Sequence, residues 1–140
     1  MNDDLETKIN TPNRFKSAGE KKIAGILDKY GISFKYESPV IVIDNDSKQR
    51  IWYPDFYLPQ FGIYLEFYGF KGNPDYDNSR RIKEQAYRNL GYEIISIDTT
   101  ISKENIDNHI INQIYRVQRN RYRKIRTSVY GLRTGARPKY

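Results

Sequence analysis

Two acidic side chains stand where acidic side chains are costly. Asp55 and Glu66 lie within apolar, aromatic runs, Arg-Ile-Trp-Tyr-Pro-Asp-Phe-Tyr-Leu (50–58) and Ile-Tyr-Leu-Glu-Phe-Tyr (63–68). Both runs alternate with period two, the pattern of half-buried strands. Tyr53, Asp55 and Tyr57 share one face of the first run, and Tyr64, Glu66 and Tyr68 share one face of the second. The Pro-Gln-Phe-Gly segment between them is a turn. A hairpin is therefore predicted, and it brings Asp55 and Glu66 together on one face. Paired carboxylates in apolar surroundings repel each other and resist desolvation, and a cation relieves both costs. Two oxygen ligands with further positions open suit Mg2+, which keeps waters and also takes phosphate. The alternative is that either residue is an ordinary strand position facing solvent.

The elements that must position this pair can be read in order. Residues 1–16 are polar and without period, and read as a flexible lead-in. Ser17, with Glu20 three residues on, is a possible capping box for a helix that ends at Gly31. Its stripe is Ile23, Ile26, Leu27 and Tyr30, and Glu20 lies one turn before Ile23 on the same side. Glu20 is thus a cap residue, a third acidic group at the site, or both. Ile32–Glu37 and Val40–Ile43 read as strands, and Asp44-Asn45-Asp46-Ser47 as a turn. After the central hairpin, a helix is predicted from Asp77 or Asn78 to just before Gly91. Ile82, Ala86 and Leu90 form its buried stripe, with Lys83 and Tyr87 on the flank. Tyr92–Asp98 follows as a strand parallel to the one that carries Glu66, because a strand-helix-strand unit demands it. A last helix is predicted over Ser102–Tyr122, and Lys124–Tyr140 has no period and reads as disordered without a partner. The expected class is α/β, a small mixed sheet flanked by helices, with a core over 17–100 and a C-terminal helix and basic tail over 101–140.

Composition narrows the chemistry. The chain of 140 residues has no Cys, which removes disulfides, thiolate zinc sites and cysteine nucleophiles. A single His, His109, removes clustered-His metal sites. No apolar run approaches membrane-spanning length, and the acidic N-terminus is unlike a secretory signal. An intracellular protein, cytoplasmic or nucleoid-associated and without a membrane partner, is expected. The net charge of +7 is unevenly spread. Between Lys103 and Tyr140 ten Lys and Arg stand against Glu104 and Asp107, with tyrosines among them. Cations interleaved with rings suit a nucleic acid: the cations meet phosphate and the rings stack on bases. Lys71, Arg116, Arg119, Arg121, Arg123, Lys124, Arg126, Arg133 and Arg137 are the candidates. A solubilising tail is the alternative.

Glu20, Pro54-Asp55 and Glu66-Phe67-Tyr68, in a helix-strand-strand-strand-helix-strand order, resemble the PD-(D/E)XK nuclease superfamily, which includes restriction enzymes and Holliday-junction resolvases. The resemblance spans roughly residues 17–98. It implies a restriction endonuclease-like core and a Mg2+-dependent DNA endonuclease, with Mn2+ as a substitute. It further implies that Asp55, Glu66 and the backbone carbonyl of Phe67 hold the metal, and that Glu20 is the acidic residue some branches carry on the first helix. The sequence departs from the motif at its lysine, where Tyr68 stands. Some branches place that cation on the following helix, which makes Lys83 the candidate; Lys71 is the other. Tyr53, Tyr57, Tyr64 and Tyr68 would wall the site, or simply cover a sheet face. Branched DNA, or a short specific site, is the expected substrate. Cutting both strands with one site per chain implies a homodimer. If neither lysine serves, the chain is a non-cleaving DNA binder on the same scaffold.

Overall fold

In the computed structural model, which describes residues 15–44, 46–69 and 74–134, the chain opens with α1 (Ala18–Lys29). Ser17 Oγ accepts from the Glu20 N–H at 3.1 Å, the expected cap. At the other end Gly31 turns left-handed at φ +68°. That turn lets the Ile32 and Gly31 N–H groups close on the Leu27 and Asp28 carbonyls. Five strands follow: β1 (Lys35–Tyr36), β2 (Val40–Ile43), β3 (Gln49–Trp52), β4 (Phe56–Leu58) and β5 (Ile63–Tyr68). Then come α2 (Pro74–Asn89), β6 (Glu93–Asp98), a short 3-10 turn (Lys103–Asn105) and α3 (Ile106–Thr134).

The fold is mixed α/β with a small mixed sheet and three helices. The main sheet has the order β1-β4-β5-β6. β4 and β5 form the expected antiparallel hairpin, and β5 and β6 run parallel as the strand-helix-strand unit requires. The alternation is also as expected. Ile63 and Leu65 face a core shared with Ile23, Leu27, Ile95, Ile110 and Ile114, so α1 and α3 cover that side. Tyr64 and Ile94 face Val40, Val42 and Tyr87, so α2 and β2 lie on the other side.

Three expectations need correction. The run 50–58 is not one strand. Residues 49–52 pair with β2 as a separate two-stranded ribbon, and only 56–58 joins the main sheet. Pro54 lies at the break, where it has no N–H to give a ladder. The expected strand 32–37 shrinks to two residues, because the Ser33 N–H goes to the Gln60 side chain at 3.1 Å instead. The tail is helical through Thr134 rather than irregular from Lys124. Arg, Lys and Ile there are adequate helix formers and need no apolar stripe to continue an established helix. Residues 1–14 and 135–140, with most of the assigned lead-in, lie outside the described residues. Phe15, at the end of that lead-in, packs its ring against Phe34, Tyr36 and Phe56. No helix among the described residues is long and apolar enough to cross a membrane.

Candidate functional site

The hairpin register pairs Phe56 with Leu65, so its next step sets Asp55 opposite Glu66. The two carboxylates line one pocket of about 190 Å³ with Phe67, Tyr68 and the helix residues Tyr76, Ser79, Arg80 and Lys83. Asp55 is fixed from two directions. Its Oδ2 accepts the Phe67 N–H at 2.7 Å. Its own carbonyl accepts the Glu37 N–H at 3.1 Å, and Glu37 holds a left-handed φ of 52° to make that contact. Glu66 is 4% exposed. Its Oε2 accepts from Lys83 Nζ at 3.0 Å, and Tyr87 Oη donates to its Oε1 at 3.5 Å.

Glu20 serves as both cap and acidic neighbour. Its Oε2 accepts from Tyr36 Oη at 2.6 Å and from the Lys16 N–H at 3.0 Å, so the box closes on residue 16. Its charge nonetheless acts on both Asp55 and Glu66. α1 comes this close because position 19 is glycine: a Cβ there would stand 2.4 Å from the Phe67 ring. Among the described residues no three His, Cys, Asp or Glu side chains are placed to hold one ion together. Glu20 also meets the Asp55 carboxyl side chain to side chain, which raises Asp55 further.

Burial pushes the Asp55 carboxyl up to about 7, and the charges of Glu66 and Glu20 add to the effect against the Phe67 N–H. Burial also raises Glu66, with Lys83 pulling the other way. Three carboxylates thus share one end of the sheet, and the Lys83 ammonium contacts one of them. Tyr68 lines the same pocket, and its hydroxyl is buried without a hydrogen-bond partner among the described residues. Oxygen donors alone, an excess of negative charge and an orphaned hydroxyl fit a hard divalent cation with an anionic ligand.

The helix above the pocket was read less well from sequence. Tyr87, assigned to the flank, is fully buried, while Ile82, assigned to the stripe, is 39% exposed. α2 is rotated because it packs on tyrosines and a carboxylate rather than on aliphatics: Tyr87 meets Trp52, Tyr64 and Tyr92. Arg80 was missed. It donates from Nε to Glu84 at 2.9 Å and from Nη1 to Asp98 at 3.0 Å, and its guanidinium lies 4.3 Å from the Tyr68 ring centre. The spacing Arg80, Lys83, Tyr87 is three then four, which sets them along one helix face, and that was the available signal. Of the four tyrosines expected to wall the site, only Tyr68 lines this pocket. The Tyr57 and Tyr64 rings meet at a tilt, 4.7 Å between centres, and Tyr53 lines a neighbouring groove.

The basic candidates are elsewhere. Arg116, Arg119, Arg123, Lys124 and Arg126 are exposed along α3. Arg121 is engaged: its guanidinium binds the Phe61 carbonyl, and the Gly62 carbonyl at 3.0 Å. It closes the hairpin turn at the opposite end of β5 from Glu66. Lys71 and Arg137, and the side chain of Arg133, lie outside the described residues. His109 places Nε2 3.2 Å from the Ser96 carbonyl, a boundary position. No protein-family model, curated protein or solved structure matches the chain.

Proposed function

We propose that this chain is a metal-dependent DNA endonuclease with a restriction endonuclease-like core. The observation that carries the reading is the meeting of Asp55 and Glu66 across the hairpin, with Lys83 Nζ 3.0 Å from Glu66 and with Tyr68, whose hydroxyl is unpartnered among the described residues, lining the same pocket. The resemblance to PD-(D/E)XK nucleases, including Pro54-Asp55, supports it.

Asp55 and Glu66 would hold Mg2+, or Mn2+ in its place. The Phe67 carbonyl would be the third donor, since the N–H and C=O of one strand residue point to the same side and the N–H reaches Asp55. Such an ion, when bound, would lower the pKa of a water and offset charge on the phosphate. The protein does the rest. Tyr87 and Lys83 hold the two oxygens of Glu66 in place. Lys83, at the pocket wall, offers a cation to the developing negative charge on phosphorus, the task of the motif lysine that Tyr68 replaces. The Tyr68 hydroxyl donates to a phosphate oxygen or to the attacking water. Arg80 holds the Tyr68 ring from one side. The pocket walls limit water, which strengthens each of these interactions. Branched or single-site DNA is the substrate class, and a homodimer would cut both strands.

A second reading is a non-cleaving DNA binder. Tyr68 at the lysine position, and the lack of a three-ligand cluster among the described residues, favour it. One experiment separates the two. Wild type and Asp55→Ala are incubated with Mg2+, Mn2+ or EDTA and with duplex, single-stranded, flap and four-way-junction DNA. The nuclease reading expects metal-dependent cutting that Asp55→Ala abolishes while binding survives. Intact binding with no cutting of any of these, or of a random-sequence library, would establish the binder.

A further inference from the structure

An open groove of about 430 Å³ adjoins the carboxylate pocket. Ile51, Trp52, Tyr53 and Ile82 form its apolar walls, and Ser79 and Lys83 belong to both hollows. The two hollows therefore adjoin through Ser79 and Lys83, one walled by apolar side chains and the other by carboxylates, and the Lys83 ammonium lies on Glu66. The apolar hollow is not core left bare by chance. Trp52 is held edge-on against Tyr87, with ring centres 5.5 Å apart, and Tyr87 in turn donates to Glu66. Tyr53 is 58% exposed and Ile51 is also 58% exposed, so a ligand can reach both. The ribbon that carries them stands apart from the main sheet because Pro54 breaks the run.

We infer that this groove is a nucleobase subsite: it takes one unstacked base of an unpaired DNA strand, the neighbour of the phosphate that enters the carboxylate pocket. The inference rests on the nuclease reading and sharpens its substrate. Because Lys83, Ile82 and Tyr53 line one groove, a phosphate at Lys83 would leave its attached nucleoside within reach of Ile82 and Tyr53. Stacking on aromatic rings tolerates any base, since every base has a π-face. A base paired and stacked in a duplex cannot enter, so the groove selects unpaired strands at flaps, forks or opened junctions.

Trp52 is the sole tryptophan of the 140-residue chain, which gives a direct readout in that chain. Its fluorescence is followed on titration with a short single-stranded oligonucleotide, with the same strand carrying abasic sites, and with a duplex. Ca2+ replaces Mg2+, and end-label anisotropy reports binding in parallel. The base-bearing strand quenches Trp52, while the abasic strand binds with little quenching. Tyr53→Ala weakens the single strand by about tenfold and leaves the duplex, held through the basic helix, within about twofold. Equal quenching by abasic and base-bearing strands would overturn the inference. So would an equal loss for single strand and duplex in Tyr53→Ala, or a protein-concentration-dependent Trp52 shift without DNA, which would assign the groove to a second copy of the chain. Cutting is scored separately. A wild type that cuts without base-dependent quenching sinks the groove alone, and quenching without cutting sinks hydrolysis alone.

Discussion

At the pocket end of β5 each charge is held by a partner, while along α3 most of the basic side chains stand in solvent, Arg121 excepted. Glu66 is gripped by Lys83 and Tyr87, Asp55 by a backbone N–H, and Glu20 by Tyr36. Arg116, Arg119, Arg123, Lys124 and Arg126 are exposed, and between Tyr122 and Val129 every side chain is exposed as the helix leaves the core. Chemistry needs atoms fixed within a fraction of an ångström, so its charges are buried and oriented. Attraction to a polyanion needs only charge, so it tolerates mobile side chains. The regions are also separated. Arg121 clasps the hairpin turn, four residues from Glu66, or roughly 13 Å along the strand. A nucleic acid touching both must run along the sheet, and the two contacts can be broken independently.

The largest effect is expected in the pocket. Lys83→Met removes the cation from a buried carboxylate, so turnover falls by about 10²–10³-fold with affinity for DNA within about threefold. Single-turnover cleavage at saturating protein checks this. An equal loss from Lys83→Met in binding and in cutting would return Lys83 to the surface electrostatics of α3. Next comes the helix. Arg123→Ala, Lys124→Ala and Arg126→Ala together should weaken DNA binding by about 10–100-fold at moderate salt. The slope of log affinity against log salt should become shallower by about 2–3, with saturating turnover unchanged. A triple variant that binds normally would reduce the α3 charges to solubilising ones.

The two regions were not equally legible in the sequence. The hairpin, its carboxylates and the parallel β5–β6 pair were visible, because period-two alternation reports a half-buried face directly. The break at Pro54 was not. Alternation continues across it, and only the missing ladder N–H cuts the strand. Tyr87 was misplaced because stripe rules seek aliphatics, whereas α2 packs a phenol on a carboxylate and on other rings. The irregular tail was misread for the converse reason: helix beyond the core leaves no amphipathic trace.

A smaller effect separates burial from exposure by pH. Asp55 is pushed up to about 7 by burial and by its acidic neighbours. Below about pH 4 the carboxyl is protonated in folded and unfolded chains alike. Above that the unfolded chain releases the proton while the folded one keeps it, so this contribution to stability is lost as pH rises through about 7. The metal-free protein should therefore melt lower at pH 8 than at pH 5. Asp55→Asn should be more stable than wild type at pH 8 by about 1–2 kcal/mol, after discounting for the solvent that reaches the group. Mg2+ should raise the wild-type Tm at pH 8 far more than at pH 5, because binding must expel the proton. Thermal melts at both pH values decide this; a metal-independent profile would remove Asp55 from the ligand set. The α3 charge variants should leave the profile unchanged.

The finest test concerns one hydroxyl. Tyr68 is 5% exposed, and its Oη has no partner among the described residues. Burial and the nearby Glu66 charge raise its pKa, so it remains a donor across the working range. A phenol that served only as core filling would be better without the oxygen, because an unsatisfied buried hydroxyl costs about 1–3 kcal/mol. Tyr68→Phe should therefore melt at or slightly above the wild-type temperature. If the hydroxyl meets the phosphate or the attacking water, the same variant should cut about five- to tenfold more slowly with binding unchanged, since a single donor to the reacting group has been removed. Raised stability with undiminished cutting would leave Lys83 as the pocket's donor in place of the motif lysine. Lowered stability would mean that the hydroxyl has a structural partner, and the orphaned donor would no longer speak for a ligand.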